Sequence, residues 1–96
     1  MTRLTVIASI KAKEDKIEEV KTELLKLIDV TRAEEGCISY DLHQDNQNSA
    51  HFLFYEVWQN QAALDKHSST QHLMDFKAAT AGLMEEFTLN KMTKIG

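Results

Sequence analysis

The chain has 96 residues, 43% of them hydrophobic, and a formal net charge of −4. This length predicts one domain, residues 1–96, near the lower size at which a core is stable alone, so a partner would stabilise it. The basic residues are spread among acidic ones, which argues against a nucleic-acid-binding surface, and no segment approaches the roughly 20 apolar residues of a membrane span.

The N-terminus and the cysteine content indicate the compartment. Residues 1–10 contain no apolar run of signal-peptide length, so we expect a cytoplasmic protein. Cys37 is the only cysteine, which excludes an internal disulfide and suits a reducing environment. We interpret Cys37 as a small, inert strand residue.

The first half of the chain reads as a strand followed by a helix. Apolar residues alternate with polar ones from Leu4 to Ile10, which predicts a strand. From Glu14 to about Ala33, apolar residues recur every three or four positions, which predicts an amphipathic helix. Gly36 follows and is expected to end this helix.

The second half predicts a hairpin, a broken helix and a last strand. Two strands, Cys37–Leu42 and Ala50–Trp58, flank a polar loop. A helical region from Gln61 to about Met84 is broken near Ser68–Thr70, and Phe87–Ile95 reads as a weaker strand. The order β-α-β-β-α-β predicts an α+β, ferredoxin-like antiparallel sheet with helices on one face.

The third strand, residues 51–58, carries large apolar side chains in both parities. A half-exposed antiparallel strand should be polar on one side, so both faces of this strand must be covered. The helices of one chain cover only one face of the sheet. We therefore expect the other face to meet a second copy in a symmetric homodimer.

Two histidines in the broken helix are the main candidates for chemistry. His67 and His72 are five residues apart, which on one continuous helix separates them by about 140° and disfavours a metal site. Across a helix break both could face one cleft and transfer protons near neutral pH. The alternative is that they cap helix ends or lie on the surface, as we expect for His43 and His51.

Five further residues surround this region in the predicted fold. A buried Glu56 needs hydrogen-bond donors or a shifted pKa, and it either anchors the structure or orients a histidine. Trp58 on the same strand face packs the core or lines a pocket. Tyr40 on the neighbouring strand is a candidate proton donor. Ser9 on the first strand is a minor candidate for the pocket lining, and Tyr55 is a candidate core residue.

Several segments together resemble the antibiotic biosynthesis monooxygenase domain family, and within it small bacterial quinol monooxygenase-like proteins. They are LTVIASIKAKEDK, EEGCISYDL, and Glu56-x-Trp58 followed by Leu64, His67, Thr70, His72 and Phe76. The resemblance covers essentially the whole chain and implies a dimeric α+β barrel with a cavity between sheet and helices. Gln71 stands where the family pattern often has proline.

The resemblance also implies an activity. Family members oxidise quinols or phenols with O₂ and without flavin, metal or haem, so the substrate supplies the electrons. His67 and His72 match the family's histidines, with Tyr40 as a donor and with Trp58, Leu73 and Phe76 as pocket lining. The family's haem-degrading branch uses Asn, Trp and His where this chain has Ser9, His67 and Lys77, which disfavours haem degradation.

Two alternatives remain. One branch of the family isomerises a phosphorylated autoinducer-2 signal and shares the pattern of His67, Thr70 and His72, but it tends to have tyrosine in place of Trp58. The sequence also lacks the basic cluster that a phosphate would require. The second alternative is a dimeric module that binds a small molecule without catalysis.

Overall fold

The computed structural model describes residues 3–96 and confirms the α+β, ferredoxin-like fold. The elements in chain order are β1 Leu4–Ala12, α1 Ile17–Arg32, β2 Cys37–Gln44, β3 His51–Trp58, α2 Gln61–Ser68, α3 Gln71–Ala79 and β4 Met84–Met92. Within these residues, none of the helices has the length and apolar character needed to cross a membrane.

The four strands form one antiparallel sheet in the order β2-β3-β1-β4. β1 lies in the centre, where Ala8 is opposite Phe54 of β3 on one side and Leu89 of β4 on the other. Successive side chains of a strand point to opposite faces, so this register decides which residues face the helices.

The hydrophobic core lies between one face of the sheet and the helices. Val6, Ala8 and Ile10 are buried together with Phe52 and Phe54. The apolar stripe of α1 packs against this face with the fully or nearly fully buried side chains Val20, Leu24 and Leu27. The predicted alternation of β1 and the predicted periodicity of α1 are therefore both confirmed.

The predicted break in the second helical region is confirmed, and it separates α2 from α3. The Thr70 hydroxyl donates to the carbonyl of His67 at 2.8 Å, and the backbone N–H of Thr70 donates to the same oxygen at 3.2 Å. These bonds satisfy a carbonyl left free at the end of α2. The chain turns here, which reorients α3 relative to α2.

Several predicted boundaries were displaced. α1 begins at Ile17 rather than at Glu14, because the Lys16 N–H closes a turn onto the Lys13 carbonyl at 2.9 Å. α3 ends at Ala79 rather than near Met84, and Gly82 at φ +79° then reverses the chain. β4 consequently begins at Met84, three residues before its predicted start.

Gly36 and Gly82 allow a test of the loop that leads from α1 into β2. Both have positive φ, +87° and +79°, but a Cβ on Gly36 would lie 2.5 Å from the Cβ of Ala63, whereas one on Gly82 meets nothing within 4 Å. We expect Gly82→Ala to cost about 1–2 kcal/mol of unfolding free energy from backbone strain. Gly36→Ala should cost at least about twice as much, because the steric clash adds to the same strain. Urea unfolding measures both, and equal costs would contradict a tight contact at Gly36.

Candidate active site

A single carboxylate joins the two candidate histidines. Oε2 of Glu34 lies 2.7 Å from Nδ1 of His67 and 2.7 Å from Nε2 of His72. Glu34 follows the end of α1, where its N–H donates to the Thr31 carbonyl at 3.0 Å. His67 is in the last turn of α2, and His72 is in the first turn of α3. The break between these helices lets both imidazoles reach the same oxygen.

The three side chains become more exposed from the core outward. Their exposed fractions are 6% for His67, 13% for Glu34 and 22% for His72. An ionised carboxylate only accepts hydrogen bonds, so each imidazole donates to Glu34 from the nitrogen that faces it. The other nitrogen of neutral His67, Nε2, then carries a lone pair. Because the ring lines a cavity, this lone pair is the candidate acceptor toward a ligand.

The cavity has a volume of about 60 Å³ and lies between α1, the sheet and the helices α2 and α3. Its lining is predominantly apolar and aromatic. The lining residues are Ala8, Ile10, Leu24, Leu27, Tyr40, Phe54, Glu56, Leu64, His67, Ser68, Leu73, Phe76, Phe87 and Leu89. Polar groups therefore enter a mostly dry space at only a few points, which strengthens each electrostatic interaction there.

Two aromatic side chains pack against His67. Trp58 is fully buried, and its ring centroid lies 4.7 Å from that of His67. Tyr40 meets the imidazole edge-on at 5.8 Å and stacks on Phe54 at 4.3 Å. Burial raises the pKa of the Tyr40 phenol, and the nearby Glu56 raises it further. The phenol therefore keeps its proton and can donate a hydrogen bond.

Glu56 is a second buried carboxyl group at the cavity. The indole N–H of Trp58 donates to its Oε1 at 2.8 Å, so the two neighbours on one face of β3 satisfy each other. Burial raises the pKa of Glu56 to about 7, although the Trp58 hydrogen bond acts in the opposite direction. Near neutral pH, this group exchanges its proton readily.

The structure brings together most of the residues predicted for the site. His67, Tyr40, Glu56, Leu73 and Phe76 line the cavity. Two predicted residues contribute from outside the lining, since Trp58 packs behind His67 and His72 reaches the cluster through Glu34. His72 itself lines a separate outer groove with Glu23, Lys26, Leu27, Asp75 and Phe76.

Ser9 does not belong to this group. It lies on the opposite face of the sheet, because it has the other parity from the buried Ala8 and Ile10. Its hydroxyl lies 2.7 Å from Nε2 of His51, whose Nδ1 is 3.3 Å from Asp45. The prediction that Ser9 lines the pocket is therefore corrected, and His51 has specific partners.

Glu34 is the site residue that the sequence analysis missed, and it also completes a set of potential metal ligands. Its oxygen and the two imidazole nitrogens lie within 4.8 Å of one another. In the sequence, Glu34 belongs to the segment Glu34-Glu35-Gly36, which is typical of the polar end of a helix. Cys37 lies close by at the start of β2, where burial raises the pKa of its thiol to about 11 and keeps it protonated.

The chain matches the family model described as antibiotic biosynthesis monooxygenase over residues 3–79. It is 38% identical to the uncharacterised Synechocystis protein sll1783 over 92 residues. These residues are 96% of this chain and 63% of that protein. The chain thus spans less than two thirds of that relative.

Two further proteins are similar over most of the chain. The Bacillus subtilis protein named "Putative monooxygenase YcnE" is 38% identical over 71 residues, 74% of this chain and 75% of that protein. The crystal structure of PA3566 from Pseudomonas aeruginosa superposes with a TM-score of 0.96 at 35% identity, over 100% of this chain and 97% of that one.

The buried Glu56 predicts a measurable dependence of stability on pH. Because its pKa rises from 4.5 to about 7 on folding, the folded chain holds a proton that the unfolded chain releases. The contribution of Glu56 to the free energy of unfolding is fully present below about pH 4.5 and is lost as the pH rises to about 7. Glu56→Gln keeps an acceptor for Trp58 without the charge. We expect it to match the native chain near pH 4.5 and to exceed it at pH 8 by on the order of 3 kcal/mol.

Urea unfolding at fixed protein concentration and at both pH values measures this difference. The exposed Glu85 on β4 supplies the control, since Glu85→Gln should change stability equally at both pH values. Parallel loss of stability in the native chain and in Glu56→Gln would show that Glu56 titrates normally.

Proposed function

The chain belongs to the antibiotic biosynthesis monooxygenase family, and from this premise we propose that it oxidises a small quinol or phenol with O₂, without a cofactor. One observation carries the proposal. A buried histidine, His67, is held by a carboxylate at 2.7 Å while its ring lines an apolar, aromatic cavity. This is the arrangement of an oriented general base beside a site for an aromatic ring.

Glu34 would act as the positioning residue for His67. By accepting from Nδ1, it fixes the tautomer that leaves a lone pair on Nε2, and it stabilises the imidazolium that forms after proton transfer. His72 donates to the same oxygen and limits the rotation of the carboxylate. The roles of the two histidines therefore differ, with His67 accepting the proton of the substrate and His72 acting through Glu34.

The proposed reaction removes a phenolic proton to His67 and leaves an electron-rich phenolate. The phenolate reduces O₂, and one oxygen atom enters the ring while the other leaves as water. For a naphthoquinol, the products are a hydroxynaphthoquinone and water, so the substrate supplies all four electrons. Glu56, which lies at the cavity and has a pKa of about 7, is the stronger candidate to protonate a peroxide-like intermediate. Tyr40, whose pKa is raised by burial, is the weaker acid and is the candidate to hold that intermediate by a hydrogen bond.

The size of the cavity sets a requirement for substrate entry. At about 60 Å³ it is smaller than ring-binding pockets, which enclose a few hundred Å³. Its wall on the side of β4 is formed by Phe87 and Leu89, which are 48% and 43% exposed. Outward rotation of these two side chains would open the space for an aromatic ring.

The lining favours oxidation of a neutral aromatic compound over isomerisation of a phosphorylated sugar. Among the described residues, no lysine or arginine lines the cavity. A phosphate ester would have to be buried beside Glu56 without a cation to compensate its charge. We therefore favour the monooxygenase over the isomerase.

We expect His67→Ala to reduce O₂ uptake with a reduced naphthoquinol by about 10²-fold or more, because a general base contributes about that much. Glu34→Gln should lower kcat by about 10-fold or more while KM stays within about twofold, since it acts on the orientation of His67 and not on substrate contacts. An oxygen electrode measures both, with argon-purged samples as the blank.

His51→Ala is the matched control, because His51 also pairs with a carboxylate but lies on the other face of the sheet. It should retain native activity. Uptake by the native chain that is no faster than the spontaneous reaction would contradict the proposed function, as would a flavin or haem band in the visible spectrum of the active protein. Turnover of phosphorylated dihydroxypentanedione without O₂ would instead favour the isomerase.

We further propose that the chain is a homodimer that packs through the sheet face opposite the helices. That face carries Ile7, Leu53 and Val57, which are only partly buried, together with the exposed Tyr55 and Met92. No helix of the described chain covers these side chains, since α1 and α2 pack on the other face. A second copy would remove this apolar surface from water.

Analytical ultracentrifugation at micromolar concentration should give twice the 11.0 kDa chain mass. We expect Tyr55→Lys to weaken association by about 10-fold or more, because it places a charge in a buried interface. Met74→Lys changes a still more exposed apolar residue, on α3, and should leave the dimer intact. A native chain that sediments as a monomer would contradict the proposed interface.

A further inference from the structure

We propose that Glu34, His67 and His72 form a binding site for a divalent transition-metal ion of the zinc type. The three side chains converge from three separate segments, and their ligand atoms lie within 4.8 Å of one another. Two imidazole nitrogens and one carboxylate oxygen are a ligand set that zinc and cobalt accept readily.

The distances require an adjustment of the carboxylate and of one imidazole. Four-coordinate zinc with bonds of about 2.0–2.1 Å separates its ligand atoms by about 3.3 Å. The two Glu34 contacts of 2.7 Å must therefore open, by about 0.6 Å each. Glu34 follows α1 in a loop, and its carboxylate makes no side-chain hydrogen bond within residues 3–96 other than to the two histidines. Rotation of this side chain opens both contacts. The two imidazole nitrogens, which lie within 4.8 Å of each other, must also approach to about 3.3 Å, which requires a shift of the partly exposed His72 ring at the start of α3.

The surroundings provide an entry path and a supporting shell. His72 is also part of the outer groove with Glu23 and Asp75, so an ion can approach past two carboxylates. Lys26 pairs with Glu23 at 2.9 Å, which leaves Asp75 as an uncompensated negative charge in the groove apart from its contact with Gln71. On the inner side, Trp58 packs against His67. A mostly apolar shell on one side and an open side toward solvent leave a fourth position for water.

Metal binding would have a defined chemical consequence, which rests on the proposed function. When Glu34 accepts a hydrogen bond from His67, the proton of the neutral ring is on Nδ1. A metal ion on Nδ1 requires a lone pair there, so in the neutral ring the proton must be on Nε2. The nitrogen available to the cavity then becomes a donor and can no longer accept a phenolic proton. A bound ion would thus inhibit the oxidation while leaving the cavity intact.

Cobalt titration of the full chain, freed of metal with a chelator, tests the site without any substrate. We expect one equivalent of Co²⁺ to produce the intense visible bands of four-coordinate cobalt, and an excess of Zn²⁺ to abolish them. His72→Ala should weaken binding by about 10-fold or more, because it removes one ligand. His51→Ala, which alters the exposed pair with Asp45 on the other sheet face, should leave the affinity within about twofold of native.

The absence of these bands in the native protein at saturating Co²⁺ would overturn the proposal. Native-strength binding by His72→Ala would also overturn it, as would loss of binding in His51→Ala. If His72→Ala does not fold, Glu34→Gln serves as the second variant and should show the same loss. Zinc that binds with these properties but does not inhibit quinol oxidation would contradict the role of His67 as base and leave the metal site established.

Discussion

One oxygen atom of Glu34 holds the end of α1, the end of α2 and the start of α3 in a fixed relation. Hydrogen bonds to a charged group contribute more than neutral ones, about 1.5–3 kcal/mol each, and here both bonds are 2.7 Å long. Loss of the bond to His67 would cost more than this, because the imidazole is buried and its N–H donor would be left unsatisfied. The position of His67 at the cavity follows from this constraint.

The sheet forms the opposite wall of the site, and there too the buried polar groups are paired with each other. Glu56 and Trp58 are two residues apart on β3 and therefore share a face. Each carries a polar group into the core, and each satisfies the other. The wall that carries these groups belongs to rigid strands, whereas Glu34 lies in a loop and the histidines at helix ends.

Local sequence patterns predicted the elements well, because the period of apolar residues reports which side of each element is buried. They could not assign strand parity to the cavity, since β1 and β3 have apolar residues on both faces. Ser9 was therefore assigned to the wrong face. The α3 boundary was extended too far because Gly82, which reverses the chain, is a weaker local signal than the apolar residues that follow it.

The role of Glu34 was out of reach for a different reason. Its partners lie 33 and 38 residues away in the sequence, and nothing within one turn of Glu34 distinguishes it from an ordinary polar residue at a helix end. The break between α2 and α3 was visible in Ser68–Thr70, and it correctly removed the angular objection to a joint role for the histidines. Glu34, the third residue of the cluster, could be identified only from the position of the loop after α1 in the structure.

The central place of β1 has a consequence for how the chain folds. β1 pairs on one side with β3 and on the other with β4, which ends at Met92. The pairing of β1 with β4 cannot form until β4 is present, and the segment between these two strands spans nearly the whole chain. Such nonlocal pairing raises contact order and slows folding. During synthesis, the backbone edge of β1 that pairs with β4 stays unpaired until β4 has left the ribosome.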